Sequence, residues 1–404
     1  MNARSIWLLC FSFPQKHNQK SFQSDPIIAK NMTRKGFVQR LALAFLAASS
    51  VVADAASPPR PAFAFMADIT NKQPTTDTIN SSNTVAYREL KLKLPQFNVD
   101  VPVATWFTPD EELDPASRSK GGVVYSHRIS VKRIGSLLAR MDFIPEFVAK
   151  DFQLSPTTSA TTIYGDDLPF PSDRPVVLLA HGFLGSRFDL SHLAEELASQ
   201  GFVCFSPEYP ESLASSYNTN VEGLNRGIIN DRLLDTIQAD LGIKAKSFGI
   251  VGHSLGCGTA TNTGDDSWTR VCVAGPPVRR DGVKVGGNIL AITSLNDGLV
   301  TRSRLESMLP SDFVRLEEKT MMNSPLPSKG VVIFDRPDAP NHISFLSGNA
   351  NDAMISFLSP LLPVAQALTI PVLDFDKYKE SRDSEQTGLV VIPLITAYLK
   401  QYMM

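Results

Sequence analysis

Short, continuously apolar runs alternate with helix-type patterns through residues 175–346. A short apolar run bounded by turn residues is typical of a parallel strand buried on both faces, and apolar residues three or four positions apart predict amphipathic helices. The predicted strands are 176–180, 202–205, 248–251, 270–273, 288–292 and 331–334. Predicted helices cover 190–199, 225–241 and a segment that begins at Ser254. Strands that alternate with helices predict an α/β domain with a mostly parallel central sheet flanked by helices.

The chain upstream of this region shows two other patterns. Polar and apolar residues alternate over 87–94, and an apolar stretch follows at 101–107. Together they predict two antiparallel strands that form an edge of the sheet. From residue 134 a helical pattern runs into a Thr-, Ser- and Pro-rich tail. We therefore expect a lid-like insertion over 134–172, within a single α/β domain that spans 86–404.

The last residues of the chain, 388–404, carry apolar side chains at helical spacing. We expect a buried amphipathic helix there. Because the segment has too few basic residues for an interfacial anchor, a transient contact with a membrane surface is the less favoured interpretation.

Residues 1–67 have the features of a targeting leader. Two apolar runs, 6–11 and 41–48, are shorter than the about 20 residues that a membrane-spanning helix needs. Small residues follow in Ala53-Asp54-Ala55 and again at 62–64, as at signal cleavage sites. The alternative is an amphipathic N-terminal helix of the mature fold.

Two successive targeting segments suggest more than one membrane crossing. The stretch Pro61-Ala62-Phe63-Ala64-Phe65 resembles the region after a signal peptide in plastid-directed proteins of algae with complex plastids. We therefore expect a plastid location, with the secretory pathway as the alternative. Residues 68–85 are rich in Thr, Asn, Ser and Gln, which predicts a linker.

Composition narrows the class of protein. Of the 404 residues, 43% are hydrophobic and 20% charged, as in an ordinary globular chain. Lys and Arg number 39 against 41 Asp and Glu, which argues against a nucleic-acid-binding protein with a concentrated basic face. The cysteines are Cys10, Cys204, Cys257 and Cys272. Because Cys10 lies in the predicted leader, three cysteines remain in the body of the chain, an odd number that does not fit a disulfide framework. No CxxC occurs, so a zinc site is not expected either. We also see no phosphate loop or nucleotide fingerprint and predict no cofactor.

Gly252-His253-Ser254-Leu255-Gly256 directly follows a predicted buried strand and opens a predicted helix. This context identifies the five residues as a G-x-S-x-G nucleophile elbow, in which the serine hydroxyl is held above the sheet. The glycines are expected because the tight turn leaves no room for Cβ atoms. Ser254 is therefore the predicted nucleophile.

A second motif, Ala180-His181-Gly182-Phe183, follows an earlier predicted strand. We expect the backbone N–H groups of Phe183 and Leu255 to form an oxyanion hole, since both would point at an ester oxygen that gains charge. Gly182 would let the backbone approach the substrate closely. The alternative is a glycine-rich turn with no catalytic role.

Three segments together resemble the α/β-hydrolase superfamily: His181-Gly182-Phe183, the run from Leu193 to Val203, and the Ser254 elbow. Within it they are most similar to the branch of chlorophyllases and platelet-activating-factor acetylhydrolases. This resemblance covers 175–346 and implies an α/β-hydrolase fold. A chlorophyllase removes phytol from chlorophyll by ester hydrolysis and is plastid-associated, which agrees with the predicted leader. The turn at Pro207-Glu208-Tyr209, together with the segment from Ser212 to Tyr217, is somewhat more similar to the acetylhydrolases.

A nucleophilic serine needs an adjacent base. His342 lies in the loop after the last strong strand, where an α/β-hydrolase carries its base. The other histidines are interpreted as a leader residue (His17), as packed or solvated residues (His127 and His192), as part of the oxyanion motif (His181) and as a structural residue that points away from the nucleophile (His253).

The orienting acid is predicted to be Asp297, just past the strand at 288–292. The order Ser, Asp, His is the one that this fold uses. The rival carboxylates, each in a polar stretch typical of solvated side chains, are Asp265, Asp266, Asp281, Asp335 and Asp338. Both resembled families usually place the acid after the strand that here reads 271–273, but the following Ala274-Gly275-Pro276 holds no Asp.

These residues predict a serine carboxylic-ester hydrolase that acts on a hydrophobic ester, with chlorophyll as the first hypothesis. A lipid esterase of the acetylhydrolase type is the alternative. Plant chlorophyllases commonly have Arg where Leu255 stands and Gly where Cys257 stands, so the resemblance is closer to the superfamily than to either family. A non-catalytic binding module is a second class, although such modules usually lose a triad member. A dienelactone-hydrolase-like enzyme typically uses a cysteine nucleophile, and Cys257 lies beyond the elbow.

Overall fold

The computed structural model describes 84–110, 122–126, 128–130, 132–133, 137, 151–153, 157–159, 162–214, 217, 221–279, 284–300, 307, 309–318, 321, 325–348, 350–351, 355 and 381–404. The predicted leader, the predicted linker up to residue 83, and most of the helical pattern from residue 134 lie outside these residues. His17, His127 and Asp281 lie outside them as well.

Fourteen strands are present in the described part of the chain. In order they are β1 (Val85–Leu94), β2 (Val99–Phe107), β3 (Val123–Tyr125), β4 (Arg128–Ile129), β5 (Phe152–Gln153), β6 (Thr157–Ser159), β7 (Thr162–Tyr164), β8 (Val176–Ala180), β9 (Val203–Pro207), β10 (Phe248–His253), β11 (Thr269–Val273), β12 (Asn288–Ser294), β13 (Val314–Leu316) and β14 (Lys329–Phe334).

Ten of these strands form the central sheet, in the order β13-β14-β12-β11-β10-β8-β9-β2-β1-β7. The strands from β13 to β9 are all parallel, and β2 is antiparallel to β9. Two small two-stranded sheets, β3 with β6 and β4 with β5, stand apart from it. The predicted α/β fold with a mostly parallel central sheet is confirmed.

The sheet edge differs from the prediction. β1 and β2 pair antiparallel as expected, with Ala86 opposite Phe107. They do not form the edge, however, because β7 pairs parallel with β1, placing Ile163 opposite Ala86. The described part of the predicted lid includes three strands: β7 belongs to the central sheet, and β5 and β6 belong to the small sheets. Thr162, Ile163 and Tyr164 are β-branched or aromatic, which favours a strand.

Four α-helices are described over their full length and flank the sheet: α1 (Ser191–Ser199), α2 (Arg226–Asp235), α3 (Leu255–Asn262) and α4 (Ser384–Met403). Helix α2 is capped by Asn225, whose side chain accepts the N–H of Ile228 at 3.2 Å, and it ends in a π-type turn over Thr236–Asp240. Helix α4 begins four residues earlier than the apolar pattern, because Asp383 caps it by accepting the N–H of Gln386 at 2.7 Å.

The core lies on both faces of the sheet. On β8, Val177 and Leu179 pack in one cluster with apolar side chains of α1 and α4. The alternate residues Leu178 and Ala180 pack in a second cluster with α2 and α3. Burial of both faces explains why the central strands are continuously apolar. Among the described residues, no helix is both long enough and apolar enough to cross a membrane.

Candidate active site

Ser254 occupies a sharp turn between β10 and α3. Its backbone has φ 55° and ψ −116°, a conformation that L-residues rarely adopt and that persists only where the surroundings enforce it. A Cβ at Gly252 would clash with the backbone carbonyl of Gly256, and one at Gly256 would clash with that of Ala180. The two glycines are thus required for the strand and helix to meet at this serine, as the elbow motif predicted.

His342 contacts both Ser254 and Asp297. Its Nε2 lies 2.8 Å from Ser254 Oγ, and its Nδ1 lies 3.0 Å and 2.9 Å from the two carboxylate oxygens of Asp297. The backbone N–H of His342 also donates to the carbonyl of Asp297 at 2.9 Å. With Nδ1–H donating to the carboxylate, Nε2 is left as an acceptor for the serine hydroxyl. The structure therefore brings the three predicted residues into one hydrogen-bonded chain.

Asp297 is fully buried just after β12. The N–H groups of Leu299 and Val300 donate to its Oδ1 at 3.0 and 2.7 Å, so the carboxylate is held in place by its own turn. The described rival carboxylates, Asp265, Asp266, Asp335 and Asp338, are all exposed. The strand β11, after which the resembled families place their acid, is followed by Ala274 and Gly275 instead. Asp297, the predicted acid, stands one strand later, after β12.

His253 holds the loop that carries His342. Its Nε2 lies 2.8 Å from the backbone carbonyl of His342 and donates to it. Burial, with a smaller effect from His342, lowers the pKa of His253 to about 3, so the ring is neutral. The predicted structural role of His253 thus has a specific partner, which sequence alone could not identify because it lies 89 positions away along the chain.

The predicted oxyanion loop lies against the elbow. A Cβ at Gly182 would come within 3.2 Å of Ser254 Cβ and 3.1 Å of His253 Nδ1, so the backbone at Gly182 packs tightly against the elbow. Phe183 follows immediately, and Leu255 is the first residue of α3, whose N-terminal N–H groups favour negative charge. The two predicted donors are thus on backbone segments that meet at Ser254.

Cys257 is a packed thiol on α3. Its Sγ contacts the carbonyl oxygens of Gly252 and Val273 at 3.2 and 3.3 Å. Burial, the largest of several contributions, raises its pKa well above the ordinary value, which disfavours the reactive thiolate. Within the part of the chain that the structure describes, no group of three or more His, Cys, Asp or Glu residues could hold a metal ion.

No protein-family model and no curated protein sequence matches the chain. Among solved structures, a ferulic acid esterase from Streptomyces cinnamoneus is similar at a TM-score of 0.44 and 15% identity, covering 80% of this chain and 91% of that one. A dienelactone hydrolase from Anabaena variabilis has a TM-score of 0.32 and 15% identity, covering 69% and 96%. A cold-adapted esterase from an Arctic intertidal metagenomic library has a TM-score of 0.34 and 12% identity, covering 68% of this chain and 93% of that one. Likenesses this distant say nothing about what the chain acts on.

Proposed function

We propose that this protein is a serine carboxylic-ester hydrolase. The observation that carries the proposal is the chain of hydrogen bonds from Asp297 through His342 to Ser254, in a strained elbow at the end of β10. A serine hydroxyl is a poor nucleophile until an adjacent base takes its proton. The Nε2 of His342, 2.8 Å from Ser254 Oγ, is placed to do so.

In the first half of the reaction, Ser254 Oγ attacks the ester carbonyl while its proton passes to His342 Nε2. The carboxylate of Asp297 stabilises the resulting imidazolium and keeps the ring oriented. The N–H groups of Phe183 and Leu255 donate hydrogen bonds to the carbonyl oxygen and stabilise its negative charge. The tetrahedral intermediate then collapses: the bond to the alcohol breaks, and His342 returns the proton to the leaving oxygen.

In the second half, water hydrolyses the acyl-enzyme. His342 removes a proton from the water, whose oxygen attacks the acyl carbon. Collapse of the second tetrahedral intermediate breaks the bond to Ser254 Oγ, and His342 gives the proton back to the serine. The products are a carboxylic acid and an alcohol, and the enzyme regains its starting protonation state.

For the substrate we favour a large hydrophobic ester, with chlorophyll as the first choice. The support is the sequence resemblance to chlorophyllases and the plastid-like leader. Hydrolysis would release phytol and leave chlorophyllide. We also propose, on the leader alone, that the chain is directed to the plastid; residues 1–70 fused to a fluorescent reporter should carry it there. Reporter in the cytosol would refute this location, and secretion would favour the alternative.

A lipid esterase of the acetylhydrolase type is the second candidate. The turn that is similar to acetylhydrolases packs directly on the oxyanion loop: Leu184 forms a bridge with Ser212, and the N–H of Tyr209 donates to His181 Nε2 at 3.0 Å. This segment is therefore placed to affect which ester fits beside Phe183.

The test is hydrolysis by the full chain of three esters: detergent-dispersed chlorophyll a, p-nitrophenyl butyrate and a short-chain sn-2 acetyl phosphocholine. Ser254→Ala is assayed in parallel, and Ser267→Ala, at an exposed serine, is the matched control. Chlorophyllide that forms with the wild type and the control but not with Ser254→Ala supports both nucleophile and substrate. Cleavage of the acetyl lipid without chlorophyllide would favour the second candidate. Activity that survives Ser254→Ala would refute the proposed function.

A further inference from the structure

Arg226 is a buried cation beside the oxyanion loop. It is the first residue of α2, and its side chain is only 7% exposed. Nη1 donates to the carbonyl of His181 at 2.7 Å and Nη2 to that of Gly182 at 3.3 Å. Nε donates to Glu211 Oε2 at 3.1 Å, Nη1 reaches Thr259 Oγ1 at 3.2 Å, and the guanidinium lies over the Tyr209 ring. A buried guanidinium is costly unless its donors are all used, so these contacts indicate a demanding position.

The side chain of His181 also binds the Gly182 carbonyl. The ring accepts the Tyr209 N–H at Nε2, so in the neutral form the proton is on Nδ1, which donates to the Gly182 carbonyl at 2.8 Å. Burial is the main cause that lowers the pKa of His181 well below its ordinary value, and the Arg226 charge acts in the same direction. The neutral ring is thereby favoured over the imidazolium.

These contacts fix the direction of the Phe183 N–H. The Gly182 carbonyl and the Phe183 N–H belong to one planar trans peptide and point in opposite directions. The next N–H, that of Leu184, is held by the backbone carbonyl of Glu211 at 3.1 Å. Glu211 therefore acts on both sides of Phe183. Its backbone carbonyl binds the N–H of the following residue, Leu184, and its carboxylate forms the salt bridge to Arg226, which binds the preceding carbonyls.

We propose that Arg226 is a positioning residue for the oxyanion hole: by binding the carbonyls of His181 and Gly182, it orients the peptide whose N–H stabilises the negative charge formed at Ser254. This inference rests on the proposed function. It assigns Arg226 no contact with the substrate, so its loss should weaken transition-state stabilisation while leaving binding of the ground state nearly unchanged.

Arg270 provides a matched control. It is also buried, and it also donates mainly to carbonyls, among them those of Ala260, Thr263 and Asp265. Those residues lie at the end of α3 away from Ser254. Removing Arg270 should therefore cost stability as removing Arg226 does, but should not disturb the oxyanion loop.

The experiment compares Arg226→Gln, Arg226→Lys and Arg270→Gln in the full chain. We would measure kcat and KM for p-nitrophenyl butyrate, thermal stability, and inhibition by a trifluoromethyl ketone, which adds to the serine and leaves a charged oxygen in the oxyanion hole. Arg226→Gln should lower kcat by about 10- to 100-fold, less than loss of a whole donor because His181 still holds the carbonyl. Inhibitor affinity should fall by a similar factor, with KM nearly constant. Arg226→Lys should fall in between.

Two results would overturn the inference: kcat and inhibitor affinity within about twofold of wild type in both Arg226 variants, or an equal loss of both in Arg270→Gln. If Arg226→Gln does not fold, Arg226→Lys decides by the same criteria. Ser254→Ala, measured in the same assays, tests the proposed esterase function separately from the positioning role of Arg226. An active wild type with unaffected Arg226 variants removes only this inference, whereas a wild type without esterase activity removes the proposed function and this inference with it.

Discussion

His253 and Ser254 are adjacent in the chain and both bind His342: His253 contacts its backbone, and Ser254 contacts its side chain. His253 Nε2 donates to the carbonyl of His342 at 2.8 Å, and Ser254 Oγ bonds to His342 Nε2 at the same distance. The elbow therefore fixes the base at two points. The position before the nucleophile acts on the geometry of the triad without contacting the reacting atoms.

This arrangement predicts that His253→Leu lowers kcat by about 10-fold, since a buried carbonyl would lose its partner at a cost of about 1–3 kcal/mol and the His342 loop would shift. His253→Gln, whose amide N–H can reach the same carbonyl, should recover most of the activity. The measurement is kcat for p-nitrophenyl butyrate beside thermal stability. Equal kcat in the two variants, at equal stability, would contradict the role of this hydrogen bond.

Asp297→Asn should lower kcat by about 10⁴-fold with little effect on KM, because an amide N–H facing His342 Nδ1 favours the wrong tautomer. The buried turn that binds Oδ1 through Leu299 and Val300 would still be satisfied by the amide oxygen, so the fold should persist. Asp338→Asn, at an exposed rival position, is the control and should match wild type. If instead Asp338→Asn were the inactive variant, the acid assigned here would be wrong.

The parts of the fold and site that could be predicted from the sequence are those specified by neighbouring residues. The elbow was predictable because five adjacent residues specify it, and Asp297 because it follows the end of a strand. β7 was missed since three residues, Thr162 to Tyr164, give too short a pattern to recognise. The contacts that His253 and Arg226 make with backbone carbonyls were not predictable either, because those carbonyls lie 44 to 89 positions away along the chain and no sequence pattern identifies a backbone partner.

The elbow glycines give a third prediction. Gly256→Ala should prevent folding or abolish activity, because the new Cβ would clash with the backbone carbonyl of Ala180 and neither element can move alone. Gly258→Ala, two residues along the same helix, meets nothing within 4 Å. It should raise stability by about 0.5–1 kcal/mol through helix propensity. Soluble yield, thermal stability and esterase rate would be compared; a well-folded, fully active Gly256→Ala protein would show that the elbow tolerates a side chain.

The buried carboxyl group of Asp189 should make the free energy of unfolding depend on pH. Its carboxylate is buried in the turn after the oxyanion loop, where the N–H and hydroxyl of Ser186 both donate to Oδ1 at 3.0 Å. Burial nevertheless raises the pKa of Asp189 from its ordinary value to about 7, against the opposing effect of the Ser186 hydrogen bonds. The folded protein thus binds a proton that the unfolded chain has released above about pH 4. The stabilisation that this bound proton provides is fully present below about pH 4 and is lost as pH rises through about 7.

Asp189→Asn should therefore gain free energy of unfolding over wild type as pH rises, since the amide keeps an acceptor for Ser186 and cannot ionise. Between about pH 5 and pH 8 the difference should grow by about 2–3 kcal/mol. Urea unfolding at the two pH values measures it, with the exposed Asp173→Asn as the control that should show no such trend. A constant difference between Asp189→Asn and wild type at both pH values would mean that this carboxyl does not titrate in that range in the folded protein.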